Sequence, residues 1–225
     1  MNVNADVGEG AGHDEAVLAC VDSASICCGV HAGSAAITRA TARRCVELGV
    51  EVGAHPGYDD RANFGRLEVG MPEAELAELI ASQVGALAAV APIRYVKPHG
   101  ALYHRCQHDR SAADALARLA QAYGVGVVGQ PGFEIVAAAK RAGVPAYREG
   151  FADRLILPDG SLAPRSRPGS VLEPARAAEQ AVMLAMSGEY DTICVHGDSP
   201  GADTIAAAVR RALSEAGFRT TALAG

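Results

Sequence analysis

Short apolar runs that end in polar or titratable residues beside glycine or proline recur along this chain, and segments of helical character separate them. The runs cover residues 2–7, 25–31, 50–55, 95–99, 125–128, 145–150 and 192–196. The helical segments are predicted over 14–21, 34–48, from Pro72 to 90, 109–123, from Pro131 to 142, 174–187 and 199–216. Ser34 suits an N-cap and Gly49 a C-terminal cap, while Pro72 and Pro174 fit helix first turns. Strict alternation of this kind predicts a parallel sheet, either open and doubly wound or closed into a barrel. An eight-unit barrel needs about 250 residues, so seven units fit the 225 present. Polar tips on at least five strands favour closure, because a barrel gathers all strand ends around one mouth. In either architecture the site lies at the carboxyl ends of the strands. Asp6, His31, His55, Lys97, His99 and His196 are then expected to converge. No domain boundary is evident, so residues 1–225 read as one α/β domain.

Composition narrows the function classes. Hydrophobic residues make up 49% and aromatic residues 4%, so the core is expected to be aliphatic. A net charge of −6 without a basic block argues against a nucleic-acid partner. No apolar run approaches the roughly 18 residues of a membrane span, and no secretory leader pattern opens the chain. Six cysteines without a repeated CxxC spacing read as reduced thiols, and the cytosol is the expected compartment.

The run Tyr95-Val96-Lys97-Pro98-His99-Gly100 carries the densest chemistry. Strand periodicity puts Lys97 and His99 on one face. His31, His55, His99 and His196 are four of the seven histidines, each placed at a strand tip. One histidine at such a position is an ordinary core residue; four together indicate a site. Two chemistries are open. Asp6, His55 and His99 offer oxygen and nitrogen ligands for a divalent metal. Alternatively, a carboxylate such as Asp6 activates water while a histidine or Lys97 stabilises an oxyanion or protonates a leaving nitrogen.

Other motifs are weaker. Gly197-Asp198-Ser199-Pro200-Gly201 matches a nucleophile elbow, but Pro200 lacks the N–H that the elbow needs and no histidine follows His196. Ser199 is read instead as a helix N-cap. Gly124 to Gly129 matches G-x-G-x-x-G by chance, since it runs through a strand rather than after one. No nucleotide P-loop occurs, and Gly8 to Gly12 sits beside Asp6 and Glu9, a poor setting for phosphate. His104 and His108 read as a solvated helix start. The long connection 151–173 holds Asp153-Arg154, a small hairpin around Asp159-Gly160, and Arg165-Ser166-Arg167. It is expected to act as a lid, with an arginine holding a substrate carboxylate.

Several stretches together resemble the LamB/YcsF family. They are Asn4-Ala5-Asp6-Val7-Gly8-Glu9, Cys28-Gly29-Val30-His31-Ala32-Gly33, Gly53-Ala54-His55-Pro56-Gly57-Tyr58, Phe64-Gly65-Arg66, residues 96–103, Phe151-Ala152-Asp153-Arg154, Pro164-Arg165-Ser166 and residues 193–201. The resemblance implies a distorted seven-stranded parallel β/α barrel, related to glycoside hydrolases and carbohydrate deacetylases. It also implies the role of the 5-oxoprolinase A component in ATP-dependent opening of 5-oxoproline to L-glutamate, with partner subunits B and C and Mg2+ accompanying the ATP. Within the matching stretches, Asp6, His55, Lys97 and His99 are assigned to catalysis. Asn4, Glu9, His31, Asp153, Arg154, Arg165, Ser166, His196 and Asp198 are assigned to substrate binding. The resemblance locates these positions without fixing their roles. The chain departs from the family pattern at Asn2, Ser25, Ser34 and His104, which removes two carboxylates from near the expected mouth. Two other functions compete: a metal-dependent carbohydrate or amide deacetylase acting alone, and a non-catalytic component that presents 5-oxoproline. The oligomeric state, a homo-oligomer included, is left open.

Overall fold

Polarity alternates along the first strand, and the fold uses the alternation to separate two environments. In the computed structural model, which describes residues 1–224, β1 (Asn2–Val7) is buried along its whole length. Asn2, Asn4 and Asp6 face the interior of a barrel, while Val3, Ala5 and Val7 join the apolar layer outside it. The remaining strands are β2 (Ser23–Cys27), β3 (Glu51–His55), β4 (Tyr95–Val96), β5 (Gly126–Gly129), β6 (Ala146–Phe151) and β7 (Thr192–His196). All pair in parallel in chain order, and β7 closes on β1. The closed barrel is therefore the observed solution, not the open sheet.

The outward strand residues pack against amphipathic helices: α1 (Asp14–Leu18), α2 (Ala35–Leu48), α3 (Glu73–Ala88), α4 (Gly100–His108), α5 (Arg110–Tyr123), α6 (Glu134–Ala142), α7 (Pro174–Ser187) and α8 (Ala202–Glu215). Val3, Ile26, Val52, Val96, Val127 and Ile193 share one core with Leu76, Ile80, Leu116, Ile135, Ile205 and Val209. A parallel sheet needs cover on its outer face, and aliphatic side chains supply it here. Caps fix the helix ends. Ser34 Oγ accepts from the Ile37 N–H at 3.2 Å, and Gly49 closes α2 in the left-handed region.

Several boundaries differ from the expectation. β2 stops at Cys27, because Gly29 turns the chain at φ +79°; His31 thus lies on the loop to α2, not at a strand tip. The helix expected from 109 is preceded by another, α4. Asp109 breaks the two by accepting from the Ser111 and Ala112 N–H groups, so His104 lies in the middle of α4 and His108 at its end, both exposed. α1 ends at Leu18, α6 begins at Glu134, and α8 begins at Ala202 with Gly201 at its N-cap. Ser199 is consequently not a cap; it is buried, and its Oγ accepts from Arg165 Nη1 at 3.3 Å. The expected hairpin forms, with Ile156 bridged to Leu162. Asn2 lies at the start of β1, away from the mouth, where its Oδ1 accepts from Ser23 and Thr192. Ser34 spends its side chain on capping α2. Neither departure alters the mouth directly. All six cysteines are free, and no described helix is long and apolar enough to cross a membrane.

Candidate active site

Lys97 enters the barrel just past β4. Its N–H donates to the Ala54 carbonyl at 2.9 Å and that of His99 to Pro56 at 2.8 Å, so the chain keeps following β3 beyond the formal strand. The Lys97 side chain is 2% exposed, and its ammonium is held by Asp6 Oδ1 at 2.8 Å and Glu149 Oε1 at 2.7 Å. It also donates to Asn4 Oδ1 at 3.3 Å and meets Cys194 Sγ at 3.1 Å. A buried ammonium survives only with such partners. Asn4 Nδ2 and the Tyr103 hydroxyl complete the shell by donating to Glu149. Burial raises the Asp6 carboxyl, but His55, Lys97 and His196 overcome it and hold the group well below the usual carboxylate range. Glu149 is pushed the other way, because burial there outweighs the pull of Lys97. One ammonium thus separates two carboxylates of different character.

Beside this network stands a second cluster. His31 Nε2 and His99 Nδ1 lie 3.2 Å and 3.3 Å from Glu9 Oε1, and His99 Nδ1 is 3.0 Å from His55 Nε2. The His31 and His99 rings stack at 3.9 Å. All four side chains are buried. Burial lowers His31 to about 3 and His55 to about 4, and it lowers His99 strongly as well. Burial, with the nearby Asp198 and Asp6 charges, raises Glu9. Backbone without side chains makes room for the rings. A Cβ on Gly57 would fall 2.5 Å from His31 Nδ1, and one on Gly65 would fall 2.8 Å from His31 Cβ. The neighbouring Phe64 is the one non-glycine residue at positive φ among those described, and its carbonyl accepts from His99 Nε2 at 2.8 Å. Metal-capable donors therefore form two groups: Glu9, His31, His55 and His99 in one, and Asp6, Cys194 and His196 in the other. Asp6, expected with His55 and His99, groups with Cys194 and His196, while its Oδ2 also lies 3.4 Å from His55 Nε2 and so borders both sets.

The mouth is built from loops. His196 directs Nδ1 at Asp153, 3.0 Å away, leaving Nε2 on the side of Asp6 Oδ2 at 3.9 Å. Asp153 is buried and also accepts the His196 backbone N–H, so it orients His196 and does not face the cavity. Arg154 donates to the Ser170 and Ala163 carbonyls and so pins the long connection. Asp198 pairs with Arg165 at 2.6 Å and with Arg66, which joins the long connection 151–173 to the loop after β3. These groups enclose a cavity of about 750 Å³ lined by Asp6, Lys97, His99, Tyr103, Phe151, Arg165, Ser166 and His196 among others. Asn4, Glu9 and His31 lie behind this wall.

Glu149 belongs to the site although no motif included it; Tyr103, Cys194 and Arg66 also belong to it, and they lie in the stretches that carry the family resemblance but were given no role there. Period-two alternation puts Glu149 on the same face of β6 as Phe151, and the register of β6 on β7 makes that face the inner one.

A closed β/α barrel with an ionisable centre at the carboxyl ends of its strands is the class of protein that this architecture defines. The chain belongs to the LamB/YcsF family, whose family model matches residues 1–225. It is 43% identical to the A component of 5-oxoprolinase from Streptomyces griseus, each covering 100% of the other. It is 38% identical to the protein of the same name from Neisseria meningitidis, at 99% coverage of each. A lactam utilization protein from Thermus thermophilus superposes with a TM-score of 0.89 at 38% identity, covering 99% of both chains. A family 4 carbohydrate esterase from Streptomyces lividans shares the fold alone, with a TM-score of 0.56 and 12% identity over 98% of this chain and 90% of the other.

Proposed function

We propose that this chain is the A component of an ATP-dependent 5-oxoprolinase and opens the 5-oxoproline lactam to L-glutamate with partner subunits B and C. The observation that carries the reading is the Asp6–Lys97 pair, a carboxylate and an ammonium 2.8 Å apart on the cavity wall. Amide hydrolysis needs a base for water and a donor for the developing oxyanion, and this pair supplies both. Asp6, kept ionised by its neighbours, takes a proton from the attacking water. Lys97 faces the carbonyl oxygen as negative charge builds on it. The proton passes from Asp6 through one water to His196 Nε2, 3.9 Å from Asp6 Oδ2, and then to the lactam nitrogen as the ring opens. Asp153 holds His196 in the orientation that this needs. Arg165, at the lid, takes the substrate carboxylate. His99, a candidate oxyanion donor by sequence, has its Nε2–H on the Phe64 carbonyl, so Lys97 carries that role in this scheme by turning the N–H of its longest oxygen contact, 3.3 Å to Asn4 Oδ1, onto the substrate.

Gly8 to Gly12 does not fit a triphosphate. The Gly8 N–H is donated to Asp14 Oδ2 at 3.0 Å, and the Asp6 and Glu9 carboxylates adjoin. We therefore assign ATP and its Mg2+ to the partners, and place the complex in the cytosol, where free thiols stay reduced.

The test is glutamate formation from 5-oxoproline and ATP by the three subunits together, compared with each omission and with Asp6→Asn in the full mixture. The expected result is product from the complete mixture alone, with Asp6→Asn slower by about 10²–10⁴-fold. No product from a folded, complete mixture would overturn the substrate assignment. Deacetylation of an acylated sugar by this chain alone would replace it. Undiminished turnover with Asp6→Asn would leave a presenting, non-catalytic role.

A further inference from the structure

His55 and His99 face each other through ring nitrogens that both lack a proton. His55 donates Nδ1–H to the Lys97 carbonyl at 2.8 Å, and His99 donates Nε2–H to the Phe64 carbonyl at 2.8 Å. A neutral imidazole has one N–H, so His55 Nε2 and His99 Nδ1 are both lone-pair acceptors. They stand 3.0 Å apart, and His55 Nε2 also lies 3.4 Å from Asp6 Oδ2. Glu9 Oε1 adds a third acceptor 3.3 Å from His99 Nδ1, and His31 Nε2 lies 3.2 Å from the same oxygen. Buried acceptors facing one another need a proton or a metal ion between them, and four donors converging from separate elements favour the metal ion.

We propose that Glu9, His31, His55 and His99 bind one divalent first-row transition ion, with Zn2+ the best match. Tetrahedral Zn2+ with bonds of about 2.0–2.1 Å sets its ligand atoms about 3.3 Å apart. The three close separations here are 3.0, 3.2 and 3.3 Å. Imidazole donors select transition ions over Mg2+ and Ca2+. The Lys97 and Phe64 carbonyls fix the tautomers from behind, as outer partners of metal-bound histidines do. The neighbouring group of Asp6, Cys194 and His196 is a poorer site. The Lys97 ammonium already lies against Asp6 at 2.8 Å and Cys194 at 3.1 Å, so a cation occupies that position. This inference does not depend on which amide the protein cleaves.

The test is metal uptake by the full chain. Chelator-stripped protein is dialysed against Zn2+, Co2+ or Mg2+, and bound metal is counted by mass spectrometry. The expected result is one Zn2+ or Co2+ per chain, no Mg2+, and visible absorption from the Co2+ form. His31→Ala and His55→Ala should each weaken binding at least about tenfold, while a His104→Ala/His108→Ala double variant should not. That control matters because His104 and His108 form an exposed pair with rings 4.6 Å apart. If the core variants fail to fold, nitrogen NMR of the wild-type histidines decides. Zn2+ should shift His55 Nε2 and His99 Nδ1 while both outer N–H groups persist. No uptake by folded wild-type protein, uptake lost with the His104/His108 variant, or unshifted ring nitrogens would each overturn the site. In the first case a proton shared between His55 and His99 would be the occupant. Glutamate formation is not the readout, so failure here and failure of the lactam reading are separable.

Discussion

Glu149 Oε1 lies 2.7 Å from Lys97 Nζ, deep in the barrel and out of contact with solvent. Removing one partner of a buried ion pair costs about 3–5 kcal/mol when the other is left unpaired. Here Asp6 still faces Lys97, so Glu149→Ala should fall near the lower bound, about 3 kcal/mol. Glu149→Gln keeps the contacts to Asn4 and Tyr103 and should cost less. Urea unfolding of both variants checks the order; equal midpoints would mean that Glu149 is not a structural counter-ion.

Arg165 is expected to act on substrate affinity more than on the chemical step. A hydrogen bond to a charged group is worth about 1.5–3 kcal/mol, or about 10–100-fold in KM. Under the proposed function, Arg165→Ala should therefore raise KM for 5-oxoproline in the reconstituted complex by that factor, with a smaller change in kcat. A fall in kcat at constant KM would move Arg165 from binding to the reacting atoms.

Asp153 should make stability fall in acid. Burial opposes its charge, but His196 and the His196 backbone N–H outweigh burial and hold its pKa below the ordinary 3.8. The folded state then binds the proton less readily than the unfolded chain. The stabilisation is complete above about pH 4 to 5 and is lost as pH falls through the depressed folded value. The stability gap between wild type and Asp153→Asn should accordingly narrow from about pH 5 to about pH 3. A gap independent of pH would show that Asp153 is protonated in the native protein.

Gly57 tests the histidine cluster without touching a ligand. An added methyl would meet His31 Nδ1 at 2.5 Å. Gly57→Ala should cost about 1–3 kcal/mol through overpacking and should weaken Zn2+ binding, read by thermal unfolding with and without the ion. If the ion stabilises variant and wild type equally, His31 is not a ligand.

The strand pattern, the caps at Ser34 and Gly49 and the inward set of β1 were legible because period and chemistry agree there. Lys97 stood out as a charge inside an apolar run. Glu149 did not, because Arg148 and Glu149 are adjacent charges and only the register of β6 turns one outward and the other in. The partition of donors into two groups was also hidden. It depends on the loop after β2 carrying His31 across to Glu9, and on Lys97 claiming Asp6. Local periodicity contains neither fact. The break at Asp109 was missed because a capping aspartate and an exposed helical aspartate look alike in one sequence.

Closure of the barrel also sets a timetable. Asp6 sits opposite His196 where β1 meets β7. In the proposed scheme, the two residues that exchange the proton belong to the first and last strands of the barrel to be synthesised. At roughly 5–20 residues per second, on the order of ten seconds or more separate their synthesis. Until β7 arrives, the growing chain carries β1 with an open edge and the Lys97 ammonium without the Cys194 side of its cage. In that scheme the nascent protein is inert, and the Asp6–His196 pair is completed by the same event that seals the barrel.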